Sequence, residues 1–202
     1  MSTRNEGEAD GRAELRHRVV NLIQLLSTAT RMRVQRAQDE ETRRQLSWML
    51  DTIGAVGVLQ QRLVGDNGDD FAGFLEDMLP QWRRRCSGRP ITLELGAEPV
   101  RIREQNLSAL SLVAHELVSN ALSHAFPDGR KGLVRVGLRR IDEANAVFSV
   151  VDNGCGYDSA AVGKSTLGLW LIGGLTAQIR GQLTTTQVGG VSVELEFPAP
   201  LL

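Results

Sequence analysis

Glu116 and Asn120, in the stretch HELVSNALSHAF, stand four residues apart, so on a helix they project from one face with one turn between them. A carboxylate and an amide so placed at a pocket rim suit a hydrated Mg2+. That hard ion keeps several waters and takes few protein oxygens, completing its shell with nucleotide phosphates. Asp152 ends an apolar run, 146–151, and is followed by Asn153-Gly154-Cys155-Gly156. A buried carboxylate there can accept a hydrogen bond from a purine amino group, while two glycines let backbone approach the ring. Thr166-Leu167-Gly168-Leu169 opens a helix, where unpaired backbone N–H groups and the helix dipole favour phosphate. Each feature alone is common: E-x-x-x-N on solvated helices, D-N-G in turns after strands.

Their value depends on the elements that hold them. Leu15, Val19, Leu22, Leu26 and Ala29 step by four and three, the stripe of an amphipathic helix with coiled-coil character. After a polar break at Ala37 to Glu41, the positions Leu46, Met49, Ile53, Val56 and Leu63 repeat that spacing. Gly11 to Leu63 therefore reads as an antiparallel helical hairpin, with Met32 and Met49 in its core. A hairpin alone leaves one face wet, and two chains that cover those faces make a four-helix bundle, so a homodimer is expected. His17 lies about 200° around the helix from Leu15, away from the stripe and towards solvent.

The turn-rich GDNGDD at 65–70 separates the hairpin from a second domain. There the pattern predicts a helix over 71–86 interrupted by Pro80, a strand at 91–95, and a long helix at about 104–125. Strands near 133–138 and 146–151, a helix at 167–180, and closing strands at 182–188 and 190–197 follow. On the long helix Leu110, Val113, Leu117 and Ala121 form the buried stripe, which Glu116 and Asn120 border. The expected fold class is α+β: an N-terminal hairpin at 10–64, after a disordered tail at 1–9, then a linker at 65–70 and an α/β sandwich at 71–202 with a mixed, mostly antiparallel sheet.

Composition narrows the function classes. With 23 Lys and Arg against 24 Asp and Glu, and 4% aromatics, the chain lacks the basic field and stacking surfaces of a nucleic-acid binder. Apolar runs such as GLWLIGGL fall short of the roughly 18 residues that a bilayer span requires, and the first ten residues have no signal-peptide core. The expectation is a cytoplasmic protein with no membrane insertion. Cys86 and Cys155 form neither a disulfide framework nor a zinc site. Trp48, Trp82 and Trp170 read as packing residues, His115 and His124 as structural.

Order and spacing are more specific than the parts. E-x-x-x-N on a helix, a strand ending in D-x-G-x-G, L-G-L at a helix start, and a glycine leading into a last strand with Phe197 together resemble the ATP-binding domain shared by gyrase, heat-shock chaperones, mismatch-repair ATPases and histidine kinases. The resemblance covers Phe71 to Pro198. It implies that Asn120 coordinates Mg2+, Glu116 is its polarising neighbour, Asp152 binds adenine, Gly154 and Gly156 shape the adenine pocket, and Gly168 lies beside the phosphates with Thr166. The segment His17-Arg18-Val19-Val20-Asn21-Leu22-Ile23-Gln24 looks like the phosphoacceptor box H-R-V-K-N-x-x-Q of a bacterial histidine-kinase subfamily related to the HWE kinases.

That resemblance implies a soluble two-component sensor histidine kinase. It would move the γ-phosphoryl group of ATP to His17 and then to an aspartate of a response-regulator receiver, with Mg2+ as cofactor; either a separate protein supplies the signal or the chain is a fragment of a longer kinase. Glu14, three residues before His17, would orient the imidazole or take its proton. The sequence departs from the subfamily pattern at several positions. Val20 replaces a Lys, and Ser123 stands where many relatives carry a basic residue near the phosphates. The lid from Tyr157 to Lys164 has only eight residues, and Thr166 replaces a glycine. Lys164 is the candidate to supply the missing positive charge. Two other readings use the same parts: a dimeric phosphotransfer adaptor with a degenerate ATPase domain, and an anti-sigma-type protein-serine kinase that would not need His17.

Overall fold

The computed structural model describes residues 3–64, 69–156 and 167–200, and for residues 3–13, 15–17, 64 and 104 the backbone alone. The chain divides into two compact units, residues 1–68 and 69–202.

The first unit consists of helices α1 (Thr3–Arg36) and α2 (Glu40–Val64), packed against each other. Helix α1 begins inside the segment expected to be a disordered tail. The face it turns towards α2 is also not the expected one. Val20, Ile23, Ser27, Thr30 and Val34 are half-buried, in three-and-four spacing, and a Cβ built on Gly57 would sit 3.5 Å from Ile23 Cγ2. The more aliphatic stripe points outward: Val19 is 39% exposed, Leu22 59% and Leu26 57%, joined by Leu25 at 66%. Met32 and Met49 are exposed as well, which corrects their assignment to the hairpin core. Two adjacent stripes of α1 obey the same period, and a partner helix covers only one of them.

The second unit begins at residue 69, two residues before its expected start at 71. The Asp69 carbonyl accepts from Ile102 N–H at 2.7 Å, and Phe71 N–H donates to the Val100 carbonyl at 3.2 Å, so Asp69 and Asp70 are tied to the 100–102 segment. Helix α3 (Phe71–Cys86) runs unbroken through Pro80, correcting the expected interruption. Pro80 and Glu76, whose carbonyl loses its helical donor there, both face solvent, while Leu75, Met78 and Trp82 are buried. Water can therefore satisfy the orphaned carbonyl.

Strand β1 (Ile91–Ala97), helix α4 (Glu104–His124), strands β2 (Gly132–Arg140) and β3 (Asn145–Asp152), helix α5 (Leu167–Gln178) and strands β4 (Gln182–Gln187) and β5 (Val191–Pro198) complete the unit. The five strands form one sheet in the order β1-β2-β3-β5-β4. Only β1 and β2 are parallel, as a strand–helix–strand crossover through α4 requires. Along β2 the buried residues alternate at Gly132, Val134, Val136 and Leu138, so one sheet face carries the core. Phe71 at the start of α3 meets Phe148 of β3 and Phe197 of β5 edge-on, with ring centroids 5.8 and 6.1 Å apart. This contact pins the helical layer to the middle of the sheet. Helix α4 touches α3, α5, β2 and β3, and Leu107, Leu110, Val113, Ala114 and Val118 are buried on it.

Candidate functional site

Helix α4 carries the first part of the site at the centre of the second unit. Glu116 is 1% exposed, so it lies inside the helical layer and does not border it as the periodicity suggested. Asn120, one turn later, is half-buried. Ser119 is buried and Ser123 exposed.

The second part lies at the end of β3. Asp152 is 7% exposed, and its Oδ1 accepts from Gly154 N–H at 2.8 Å and from Val191 N–H at 3.3 Å. Two backbone donors on one oxygen fix the carboxylate plane, and among the described residues no group donates to Oδ2. The loop after Asp152 is anchored on both sides. Asn153 Oδ1 accepts from Leu133 N–H at 2.7 Å, and Cys155 N–H donates to the Ala125 carbonyl at 2.9 Å. A Cβ on Gly154 would lie 2.3 Å from that carbonyl oxygen, so only glycine allows the loop to rest on the C-terminal end of α4. The strand end bearing Asp152 is thereby brought to the helix bearing Asn120.

Gly156 has φ +79°, a left-handed conformation that glycine adopts without strain. Gly190, in the β4–β5 turn, has φ +140°, and a Cβ on it would lie 2.0 Å from the Asp152 carbonyl oxygen. Sequence reading placed Gly190 only in the closing strand's lead. Its close approach to Asp152 links residues 38 apart and has no local signal. Gly168 is buried in the first turn of α5. Thr166 and Lys164 fall in residues 157–166, outside the described residues, as does the expected lid. Trp170 is 73% exposed on α5, which corrects its assignment as a packing residue; Trp82 is fully buried.

Two further side chains belong to this region. His115 is 1% exposed, and its Nδ1 accepts from Trp82 Nε1–H at 3.3 Å. Burial, with a smaller contribution from the nearby Arg85 guanidinium, pushes its pKa down to about 4, so the ring is neutral at physiological pH. Arg85, in the last turn of α3, donates from Nη1 to Ser119 Oγ at 3.0 Å and from Nη2 to Ser123 Oγ at 2.7 Å. The sequence offered only an Arg83 to Arg85 cluster at a helix end. The one usable signal was the four-residue spacing of Ser119 and Ser123.

In the first unit, Glu14 Oε1 lies 2.6 Å from Arg18 Nη2, and both side chains are exposed. The backbone of His17 lies within α1, and its side chain is outside the described residues. Among the described residues no three His, Cys, Asp or Glu side chains cluster as a metal site, so a divalent ion here would depend on phosphate oxygens to complete its shell. The amide of Asn120 and the cradle of Asp152 thus lie at the two ends of one stretch, the C-terminal half of α4 and the loop that rests on its end.

Residues 89–195, more than half of the chain, match the family described as "Histidine kinase-like ATPase domain", and residues 14–84 match the family described as "Histidine kinase". Comparison with curated proteins gives no match. Among solved structures, the histidine kinase domain from the Erythrobacter litoralis EL346 blue-light activated histidine kinase superposes with TM-score 0.69 at 16% identity, over 89% of this chain and 94% of that one. The Erythrobacter litoralis EL346 blue-light activated histidine kinase is matched over 77% of this chain and 54% of that one, with TM-score 0.66 and 19% identity. The mycobacterial sensor histidine kinase MprB gives 0.54 at 22% identity, over 66% and 98%. At these identities the structural likeness establishes the fold. No helix among the described residues is long and apolar enough to cross a membrane.

Proposed function

Because this chain belongs to the histidine kinase-like ATPase family and is an ATP-dependent sensor histidine kinase, we propose that it phosphorylates itself on His17 and passes the group to a response-regulator aspartate. The observation that carries the nucleotide side of this reading is the cradle around Asp152. Its Oδ1 is held by two backbone N–H groups and its Oδ2 is left to accept from the adenine amino group, while Gly154 and Gly190 let the backbone pack closely around it against Ala125 and Asp152.

Asn120 would hold Mg2+ beside Glu116, and the ion would neutralise charge on the phosphates when bound. Gly168, in the first turn of α5, and Thr166, before that helix in sequence, would meet the phosphates with backbone N–H groups, and Lys164 would add charge. In the transfer a neutral imidazole nitrogen of His17 forms a bond to the γ-phosphorus as the bond to the bridging oxygen breaks and ADP leaves. Glu14 would orient the imidazole or take its proton, and its ion pair with Arg18 must open or turn for that to occur.

A homodimer is supported by the uncovered Leu22, Leu25 and Leu26 of α1, which a second hairpin would bury. The receiver partner and a cytoplasmic location complete the proposal. Incubation with γ-labelled ATP and Mg2+ tests it: acid-labile label is expected on the wild type and absent from both His17→Ala and Asn120→Ala. ATP binding without label indicates the phosphotransfer adaptor instead, and acid-stable label on an added protein the serine kinase.

A further inference from the structure

We propose that Gly190 is a positioning residue for purine selection: the β4–β5 turn that it closes aims the Asp152 carboxylate at a 6-amino purine. The inference rests on the adenine reading of Asp152 and deepens it. The two donors on Asp152 Oδ1 hold it in different ways. Gly154 N–H, at 2.8 Å, belongs to the loop that Asp152 itself begins, so this bond travels with the loop. Val191 N–H, at 3.3 Å, comes from a residue 39 positions away, at the start of β5. The β3–β5 register runs to Val151 opposite Ser192, and the next residue of β5 gives its N–H to the Asp152 side chain. Among the described residues this is the bond that ties the carboxylate to the neighbouring strand.

The residue before Val191 decides where that N–H points. Gly190 has φ +140°, and a Cβ on it would lie 2.0 Å from the Asp152 carbonyl oxygen, 2.8 Å from the carbonyl carbon and 2.9 Å from Asn153 Cα. All three are backbone atoms, so no side chain can move aside to make room. A β-carbon would have to push the turn off the end of β3 by about 1 Å or more to reach ordinary contact. At 3.3 Å the Val191 bond has no such margin. The carboxylate would then keep its local donor alone, and its soft last torsion would spread Oδ2 over directions that the amino group cannot follow.

Gly189 supplies the comparison. It stands beside Gly190 at φ +65°, with nothing within 4 Å of a Cβ. An alanine there strains the same turn without touching Asp152.

Calorimetric titration of the full chain with ADP and with purine riboside diphosphate, which lacks the 6-amino group, tests this. The wild type is expected to bind ADP roughly 10- to 100-fold more tightly than the analogue, the difference typical of a hydrogen bond to a charged group. In Gly190→Ala that ratio should fall towards one through weaker ADP binding, with analogue affinity unchanged, whereas Gly189→Ala keeps the wild-type ratio. Val191→Pro removes the N–H at the first residue of a strand, where proline is tolerated; it should lower the ratio in the same way, and it carries the test should Gly190→Ala not fold. An unchanged ratio in either variant, a parallel loss of both ligands, or an equal fall in Gly189→Ala overturns the inference and leaves the adenine reading standing. A wild type that binds the two ligands alike overturns both.

Discussion

Helices α1 and α4 are both long and both regular, yet they use their apolar residues in opposite ways. On α4 even His115 and Glu116 are 1% exposed, because helices on two sides and a sheet beneath leave little surface open. On α1 the leucines at 22, 25 and 26 are more than half exposed, because a single neighbouring helix covers one stripe only. The second unit therefore closes its own core, whereas the hairpin has an apolar face that a further surface must complete. This division suits the proposed chemistry: a rigid shell holds the nucleotide, and a helix with open faces presents the acceptor.

The difference can be broken most forcefully in the core. Phe148→Ala removes the ring that Phe71 packs against and should cost about 3–5 kcal/mol of stability, the range for buried aromatic truncation. Urea unfolding of the full chain followed by tryptophan fluorescence measures it, since Trp82 is fully buried in the same unit. A loss under about 1 kcal/mol would mean that the α3–sheet contact is not the centre of the core.

A somewhat smaller effect is expected from His115. Its pKa is about 4 in the folded chain against an ordinary 6.5, so between those values the unfolded chain binds a proton that the folded chain refuses. The stabilisation is complete above about pH 6.5 and declines as pH falls towards 4, by roughly 3 kcal/mol in all. Urea midpoints measured across that window should slope in the wild type and flatten in His115→Gln. Equal slopes in the two proteins would assign the acid sensitivity to other groups.

The smallest change in fold stability should come from the open face of the hairpin. Leu26→Asp is expected to alter the unfolding free energy of the monomer by less than about 0.5 kcal/mol, as surface substitutions do. It should nevertheless convert a dimer to a monomer in sedimentation velocity, because it buries a charge at the proposed interface. A variant that remains dimeric would place the dimer contact elsewhere.

Local chemistry explains how much of this was readable beforehand. The bounds of α3, the β2 to β5 strands and the DNGCG loop follow from periodicity and turn residues, which act within a few positions. The α1 stripe was misread because 19-22-26 and 20-23-27 both satisfy helical spacing, and only the partner's position selects between them. Pro80 was read as a break because sequence does not reveal which face of the helix meets water. Glu116 was assigned to a rim because the burial of its helix face is imposed by neighbours remote in sequence. Arg85 and Gly190 were missed for the same reason: each acts on a residue more than thirty positions away.

The central claim is tested most directly at His17. After incubation of the full chain with ATP and Mg2+, mass spectrometry under neutral conditions should find one acid-labile phosphate on the peptide containing His17, absent when Asn120 is replaced by alanine. An unmodified His17 peptide from a protein that binds ATP saturably, or phosphate on a different residue, would contradict it.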